Sequence, residues 1–430
     1  MKLLFLTTYG IDINKEHIFT KNVWKYLSQY YTPTQLILGS CIIDEQKPSP
    51  YIEEKKLNGF IYYLLYTQSA FAKDNLKKFF QHISPSIIHS NMIEGYDIEA
   101  ARGLGIPIVL TIHIGGIICP RGGGNGFLMY NDSICNQPVS NICMKCGCMD
   151  LPLPRLSYAL LKLLPKSILE YIYSKIKDKN LFYITPFINK FIWIQNRKKY
   201  IQFLSYAHVI VANYRLVSIL KMNGIPEDNI HLIPHGVKDR GILPFPDYSD
   251  NKVKFYYLGR VQYSKGLHIL MKAFDGIDKS KYELHIIGDA ELRRKEQRYY
   301  SHIKSLAKNK NVIFHGRLPN DRIEEVVQDC HVMIHSAIYL EVYGIAIAES
   351  LSMGRPVLAT KCGGAEMQIK DGVNGWLVEP NSVSEMRNKI LYIIDHFDDV
   401  CSCAKNSRIP HPIEEYCHDL QFIYNDILTQ

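Results

Sequence analysis

The sequence contains no uninterrupted apolar run of the roughly 18 to 20 residues that a membrane-spanning helix requires, and no low-complexity tract suggesting a disordered arm. Its opening apolar stretch, Met1 to Thr8, is short and is followed quickly by Asp12, Lys15 and Glu16, so it reads as a buried first strand rather than an export signal. A cytoplasmic protein is expected, with peripheral attachment to a membrane face left open. The formal net charge of +8 comes without any compact nucleic-acid-reading motif, so no nucleic acid partner is expected. Six of the eleven cysteines (Cys41, Cys330, Cys362, Cys401, Cys403, Cys417) lack motif spacing and read as reduced thiols.

What is present is the composition of an ordinary globular chain, 47% hydrophobic and 21% charged over 430 residues, long enough for two substantial domains. Short aliphatic or β-branched runs at Leu3–Leu6, Thr34–Leu38, Ser86–His89, Pro107–His113 and His208–Ala212 alternate with amphipathic stretches. A second series starts at Val253–Leu258 and continues through Glu283–Ile287, Asn311–Phe314, His331–Ile334 and Pro356–Ala359. Such alternation predicts parallel sheets with helices on both faces, that is, an α/β fold of two doubly wound domains. Pro244 and Pro246 mark a linker over 241–252 between a first domain at 1–240 and a second at 253–400, with a C-terminal helix at 411–430 joining the first. Ligands of open α/β sheets bind beyond the carboxyl ends of the strands, so a cleft between the domains is the expected site. A long interruption at about 114–202 elaborates the first domain.

In the second domain the strand ending at Leu258 runs into Gly259, Arg260, Lys265 and Gly266 before a helix from Leu267 to Phe274. Glycines permit close backbone approach, and the two cations can neutralise a diphosphate leaving group. The bland reading is a pair of solvated cations at a strand end. Downstream, Glu341 lies in a loop and Gly344 starts a helix, placing Glu349 roughly 7 to 8 Å further along the axis at the standard rise per residue. A coherent assignment sets a diphosphate against the Gly344 and Ile345 amides at the positive helix end, Glu349 on ribose hydroxyls and Glu341 on a sugar. The competing reading makes Glu341 a solvated loop acid and Glu349 a partner of the helix dipole. No Asp-x-Asp pair in this domain indicates a catalytic divalent ion.

These residues, with the segment Gly372 to Pro380, resemble the retaining, GT-B-fold enzymes of glycosyltransferase family 4. The resemblance implies that Arg260 and Lys265 contact donor phosphates, Glu349 the ribose and Glu341 the transferred sugar. It also implies a base pocket near His315, Gly316, Arg317 and Leu318, and that His113 approaches the sugar from the acceptor side. Two departures stand out. Val342 replaces the usual glycine after the first glutamate, a change expected to reshape the sugar pocket, and the first turn offers Gly10 alone where paired glycines are common. His113 also admits a purely local reading, as a strand-end histidine bonded to backbone. The activity implied is a metal-independent transfer from a nucleotide-diphosphate sugar to a hydroxyl acceptor, a saccharide or lipid-linked saccharide. A sugar phosphorylase, a nucleotide-sugar hydrolase or epimerase, and a non-catalytic scaffold subunit remain alternatives on the same fold.

Within the interruption, Cys119, Cys135, Cys143 and Cys146 supply four thiols, the last two in C-x-x-C spacing, with Cys148 as a substitute. Structural zinc, reduced thiols and a redox pair are the readings this spacing admits. From Leu151 to Tyr200 the ten basic residues between Arg155 and Lys199 oppose only Glu170 and Asp178. With interleaved aliphatic residues and Trp193, that segment reads either as amphipathic helices on an anionic membrane surface or as a solvated basic face.

Overall fold

The computed structural model describes residues 1–7, 18–44, 46, 50–57, 59–92, 95–121, 126–140, 142–149, 154–163, 165–176, 194 and 197–429. The first sheet holds β1 (Leu3–Thr7), β2 (Leu36–Ile43), β3 (Tyr51–Leu57), β4 (Phe60–Thr67), β5 (Ile87–Ser90), β6 (Ile108–Thr111), β7 (His208–Val211) and β8 (Ile230–Leu232). The second holds β9 (Val253–Leu258), β10 (Tyr282–Ile287), β11 (Val312–Gly316), β12 (Val332–His335), β13 (Val357–Thr360) and β14 (Gly375–Val378). Strand order is β3-β4-β2-β1-β5-β6-β7-β8 in the first and β11-β10-β9-β12-β13-β14 in the second. Among these strands only β3 and β4 pair antiparallel. Each sheet has one place where the winding reverses, between β1 and β5 and between β9 and β12, and such switch points are where open α/β sheets leave a crevice.

Both faces of both sheets are covered, which is what near-continuous apolar strands require. Along β1, Leu4 and Leu6 enter one cluster while Leu3 and Phe5 enter the opposite one. Along β9, Val253, Phe255 and Tyr257 face one cluster and Tyr256 the other. The helix Ile413–Thr429 packs Tyr416, Cys417, Leu420 and Tyr424 with Leu3 and Phe5, so this last helix lies on the first sheet. The preceding helix Phe397–Asn406 sends Val400 and Cys403 into the second. Under the last helix, His89 Nε2 sits 2.8 Å from Thr111 Oγ1 and its Nδ1 meets the Tyr424 hydroxyl. Burial pushes this imidazole down to about 3.

The segment between the sheets is fastened to the second one. Arg355 is 0% exposed and donates to the carbonyls of Leu243 (3.3 Å) and Pro244 (2.7 Å), while Tyr248 stacks on Phe397 with centroids 3.9 Å apart. Four strands are additional to the sequence reading: the β3–β4 hairpin, β8 and β14. β3 carries Glu53, Glu54, Lys55 and Lys56, charges that suit a sheet edge and obscure the apolar alternation. β8 has three residues, too short for a period to register. Among the described residues no helix is long and apolar enough to cross a membrane.

Candidate active site

Glycine packing brings three strand ends together at the switch point of the second sheet. Gly266 has φ 69°, and a Cβ there would lie 1.8 Å from the Ser336 carbonyl oxygen, a contact only glycine avoids. Gly288, with φ 143°, approaches Gly259 as closely, since its Cβ would fall 1.9 Å from the Gly259 oxygen. The turn Tyr263–Lys265 is then tied to the exit of β12: the Ile338 amide donates to Ser264 O at 2.8 Å, and Ser336 Oγ donates to Lys265 O at 2.9 Å.

This fastening sets Lys265 opposite Glu341, although 76 residues separate them. Lys265 Nζ lies 2.7 Å from both carboxylate oxygens, and His335 Nε2 is 3.1 Å from Oε2. The three side chains are only 15%, 12% and 3% exposed, so the pair is largely desolvated. Burial works to raise the Glu341 carboxyl, but Lys265 and His335 outweigh it and hold the group well below the usual carboxylate range. Lys265 also lies over the Tyr339 ring, 5.3 Å from its centroid. The site thus holds an ammonium poised between a carboxylate and any anion that enters.

Gly344 follows with φ 86° and caps the helix Ile345–Ser352, whose first turn comes directly after the loop carrying Glu341. Glu349 sits on that helix and is held by Arg240, Nη2 to Oε1 2.8 Å. His315 is stacked on His285 with centroids 5.1 Å apart and a 2.9 Å contact between Nε2 and Nδ1. Burial, then His285, lowers the His315 imidazole from its ordinary value. Gly316 accepts from Gly288 N at 2.7 Å, Leu318 packs against the core near Ile323, and Arg317 is exposed. Arg260 is exposed as well and pairs with Glu291 at 3.2 Å, so Lys265 and Glu341 come together while Arg260 engages a different carboxylate.

The first sheet faces this loop with histidine and asparagine side chains. His113 follows β6, and its Nε2 is 2.5 Å from Asn91 Oδ1 at the exit of β5, so a side-chain amide holds the ring. The His113 ring lies 5.3 Å from that of His235, which lies 5.6 Å from Tyr343. Asn213 Nδ2 donates to Glu341 O (3.1 Å) and Val342 O (2.6 Å). Val342, 6% exposed, packs with Leu340 and Tyr343 into the first domain's core cluster. The residue that replaces glycine therefore seals the domain junction. Gly10 lies outside the described residues, as does Trp193. His335, Arg240, Asn91, Asn213 and His235 are not singled out by the sequence; Arg240 meets Glu349 and Asn213 meets Val342 only across more than 100 residues, whereas His335 lies six residues from Glu341 and Asn213 also caps its own helix by accepting from Leu216 N.

The interruption reaches across to the second domain. Leu128 packs with Ile269 and Ile338, and Tyr263 donates to Asp132 Oδ2 at 2.8 Å, two residues from Lys265. At the base of this reach, the Cys135 amide donates to Phe127 O at 2.8 Å. The zinc expectation is not supported. Cys119, Cys135, Cys143 and Cys146 come close enough to influence one another, yet no group of three or more His, Cys, Asp or Glu among the described residues is placed to hold a metal ion. All four are thiols outside any disulfide, and burial pushes Cys135 up to about 11 and Cys143 up to about 12.

Comparison with known proteins bears on the fold and on the second domain. Residues 244–408 match the family described as Glycosyl transferases group 1. A D-rhamnosyltransferase of Pseudomonas aeruginosa is 28% identical over 156 residues, 36% of this chain and 39% of that protein. The O-antigen chain mannosyltransferase C of Escherichia coli is 31% identical over 133 residues, 30% of this chain and 33% of its own length. An uncharacterized glycosyltransferase of Methanocaldococcus jannaschii is 28% identical over 155 residues, 35% of this chain. The matched stretch spans 40% of that last relative, so these likenesses concern less than half of each protein. Over the whole chain, the Anabaena protein HepE crystallised with UDP-glucose superposes with TM-score 0.64 at 16% identity, covering 99% of this chain and 100% of that one. Sucrose-phosphate synthase of Thermosynechococcus elongatus gives 0.65 at 14% identity, covering 100% of both. The chain therefore has the two-sheet GT-B fold of glycosyltransferases, and its second domain carries the stretch that matches Glycosyl transferases group 1.

Proposed function

We propose that the protein is a retaining glycosyltransferase that moves a sugar from a nucleotide-diphosphate sugar to a hydroxyl acceptor, a saccharide or lipid-linked saccharide in cell-surface polysaccharide assembly. The observation that carries this reading is the Lys265–Glu341 pair at the switch point, directly ahead of the helix start at Gly344. When a donor enters, its diphosphate takes the Lys265 ammonium and the Gly344 and Ile345 amides, while Glu341 turns to the sugar hydroxyls. Glu349 accepts from the ribose, and Arg260 adds positive charge at the mouth. His113, held by Asn91, accepts from or donates to the sugar on the acceptor side.

The acceptor hydroxyl attacks from the face the diphosphate leaves, as the sugar–phosphate bond breaks through an oxocarbenium-like state. The leaving oxygen takes the acceptor's proton, and no divalent ion takes part. Stabilisation of the departing charge falls to Lys265 and the helix amides. Relatives named for D-rhamnose, mannose and N-acetylglucosamine transfer, the last to lipopolysaccharide, support the acceptor class. Solved relatives in complex with UDP and UDP-glucose support the donor class. In this reading the acceptor side rests on the cytoplasmic face of an anionic membrane through residues 151–200, of which 151–153, 164, 177–193 and 195–196 lie outside the described residues, and in the described part Leu156, Leu163 and Tyr171 are exposed beside Arg155, Lys162 and Lys175.

The test is binding of UDP-, GDP- and ADP-sugars, followed by transfer to lipid-linked saccharides with the product's anomeric configuration read by NMR. Retention with one donor supports the proposal, and an inverted product removes the mechanism. Failure to bind any nucleotide favours a scaffold subunit instead. Cosedimentation with anionic but not neutral liposomes supports the membrane placement, and indifference to lipid charge sinks it.

A further inference from the structure

Arg240 belongs to the chain between β8 and β9, yet its guanidinium is 8% exposed and reaches into the second domain. Nη2 donates to Glu349 Oε1 (2.8 Å) and Asn320 Oδ1 (2.5 Å), and Nη1 donates to Glu324 Oε1 and Asn320 O (both 3.1 Å). Two carboxylates from separate helices thus converge on one buried fork. Resting on the donor reading above, we propose that Arg240 is a positioning residue for the nucleoside end of the donor, aiming the Glu349 carboxylate at the ribose hydroxyls.

Three observations distinguish this from a simple fastening of the connector. Fastening is already supplied by Arg355, whose guanidinium is saturated by backbone carbonyls of Leu243, Pro244, Val327, Gln328 and Met353. Arg240 instead gives one bond each to the carboxylates of Glu349 and Glu324 and the other two to Asn320, so half of its donors meet charged side chains. Its bond to Glu349 is to Oε1, so the carboxylate is oriented from one oxygen while a ribose diol can donate to the other. A lysine at this place would give a point charge without the planar fork that serves Glu349 and Glu324 together. Finally, Asn320 and Glu324 lie in the turn and helix that immediately follow His315–Leu318, the proposed base pocket. One side chain therefore sets the ribose carboxylate relative to the wall of the base pocket. Without it, Glu324 and Glu349 lose the cation they share, and Glu349 is free to rotate away.

The experiment measures binding of UDP, GDP and ADP, each beside its 2′-deoxy counterpart, to the full-length protein by calorimetry. The wild type is expected to prefer the ribonucleotide by roughly tenfold, the effect of one hydrogen bond to a charged group. Arg240→Gln should remove most of that preference, weakening the ribonucleotide about tenfold while the deoxynucleotide changes by less than about threefold. Glu349→Gln should do the same, and the double variant should be no worse than either alone, since both act through one contact. Should Arg240→Gln fail to fold, Arg240→Lys keeps the charge and is expected to show the same loss of discrimination. A variant that keeps the preference, or weakens both nucleotides equally, overturns the proposal and leaves Arg240 a structural fastener. Wild-type protein that binds a nucleotide without ribose preference overturns it too. Wild-type protein that binds none of the three overturns the donor reading itself, a different and separately visible failure.

Discussion

The two sides of the cleft start from the same architecture and are furnished differently. At the switch point of the second sheet the cations Lys265, Arg240 and Arg260 each hold a carboxylate, Glu341, Glu349 and Glu291 respectively. On the first sheet the corresponding strand ends present Asn91, His113 and His235, with amide and imidazole groups meeting one another. The contrast teaches a rule about readiness. Charges kept out of water need partners, which the buried Lys265–Glu341 and Arg240–Glu349 pairs supply, while the exposed Arg260–Glu291 pair stays hydrated; in the proposed function an entering diphosphate exchanges with Glu341 for Lys265.

The comparison breaks most sharply at Lys265. Lys265→Ala is expected to lower transfer by about 10²- to 10³-fold, the loss typical of removing one donor to a developing anion. It should also lower thermal stability, because Glu341 is left buried without its ammonium. Adding Glu341→Gln should restore much of the stability without restoring transfer. A double variant as unstable as the single would mean that the pair is not the electrostatic unit described. His113→Ala on the side of the first sheet should be milder, costing about tenfold in turnover with donor affinity unchanged, as measured by steady-state kinetics beside calorimetry. Equal losses in binding would move His113 out of the acceptor side.

The smallest and most gradual difference is in pH. His89, buried under the first sheet with its imidazole down at about 3, is neutral in the folded protein and takes a proton more readily when unfolded. Its contribution is present above 6.5 and is lost as pH falls from there toward 3. Glu341 is depressed instead, so its contribution is complete above its ordinary value of 4.5 and is lost only as pH falls below that. Thermal unfolding from pH 8 to pH 4, followed by a probe in the first domain, should therefore show stability falling as His89 is protonated, while His268, lowered by burial to about 4, makes the second domain acid-sensitive over a similar range. His89→Gln should flatten the first domain's slope; an unchanged slope would reassign the acid sensitivity.

Lys265, Glu341, Gly344 and Glu349 are legible in the sequence because each sits in a short local pattern, a strand, a glycine turn and a helix start, whose backbone geometry follows from residue types nearby. Arg240 and His335 are not, since an arginine in a proline-bearing connector and a histidine at a strand end have no local distinction. The cysteines illustrate the opposite case, a local pattern whose metal reading finds no support among the described residues. Their spacing points to zinc, while packing makes them mostly buried thiols pushed away from ionisation. Val342 reads in sequence as a change to the sugar pocket, and its side chain instead packs into the core cluster where the domains meet.

By itself the sequence determined the alternation that makes two parallel sheets, the glycines that let Gly266 and Gly288 approach neighbouring backbones, and the carboxylates and cations available to a donor. Those properties are local, set by backbone sterics and by the period of apolar residues. Which charges meet was decided only by tertiary structure. Lys265 reaches Glu341 across 76 residues because strand order places the exits of β9 and β12 side by side, and Arg240, in the connector ahead of β9, reaches Glu349 across 109. Pairing across such separations depends on how the sheet is wound, and no pattern in a short window of sequence contains that.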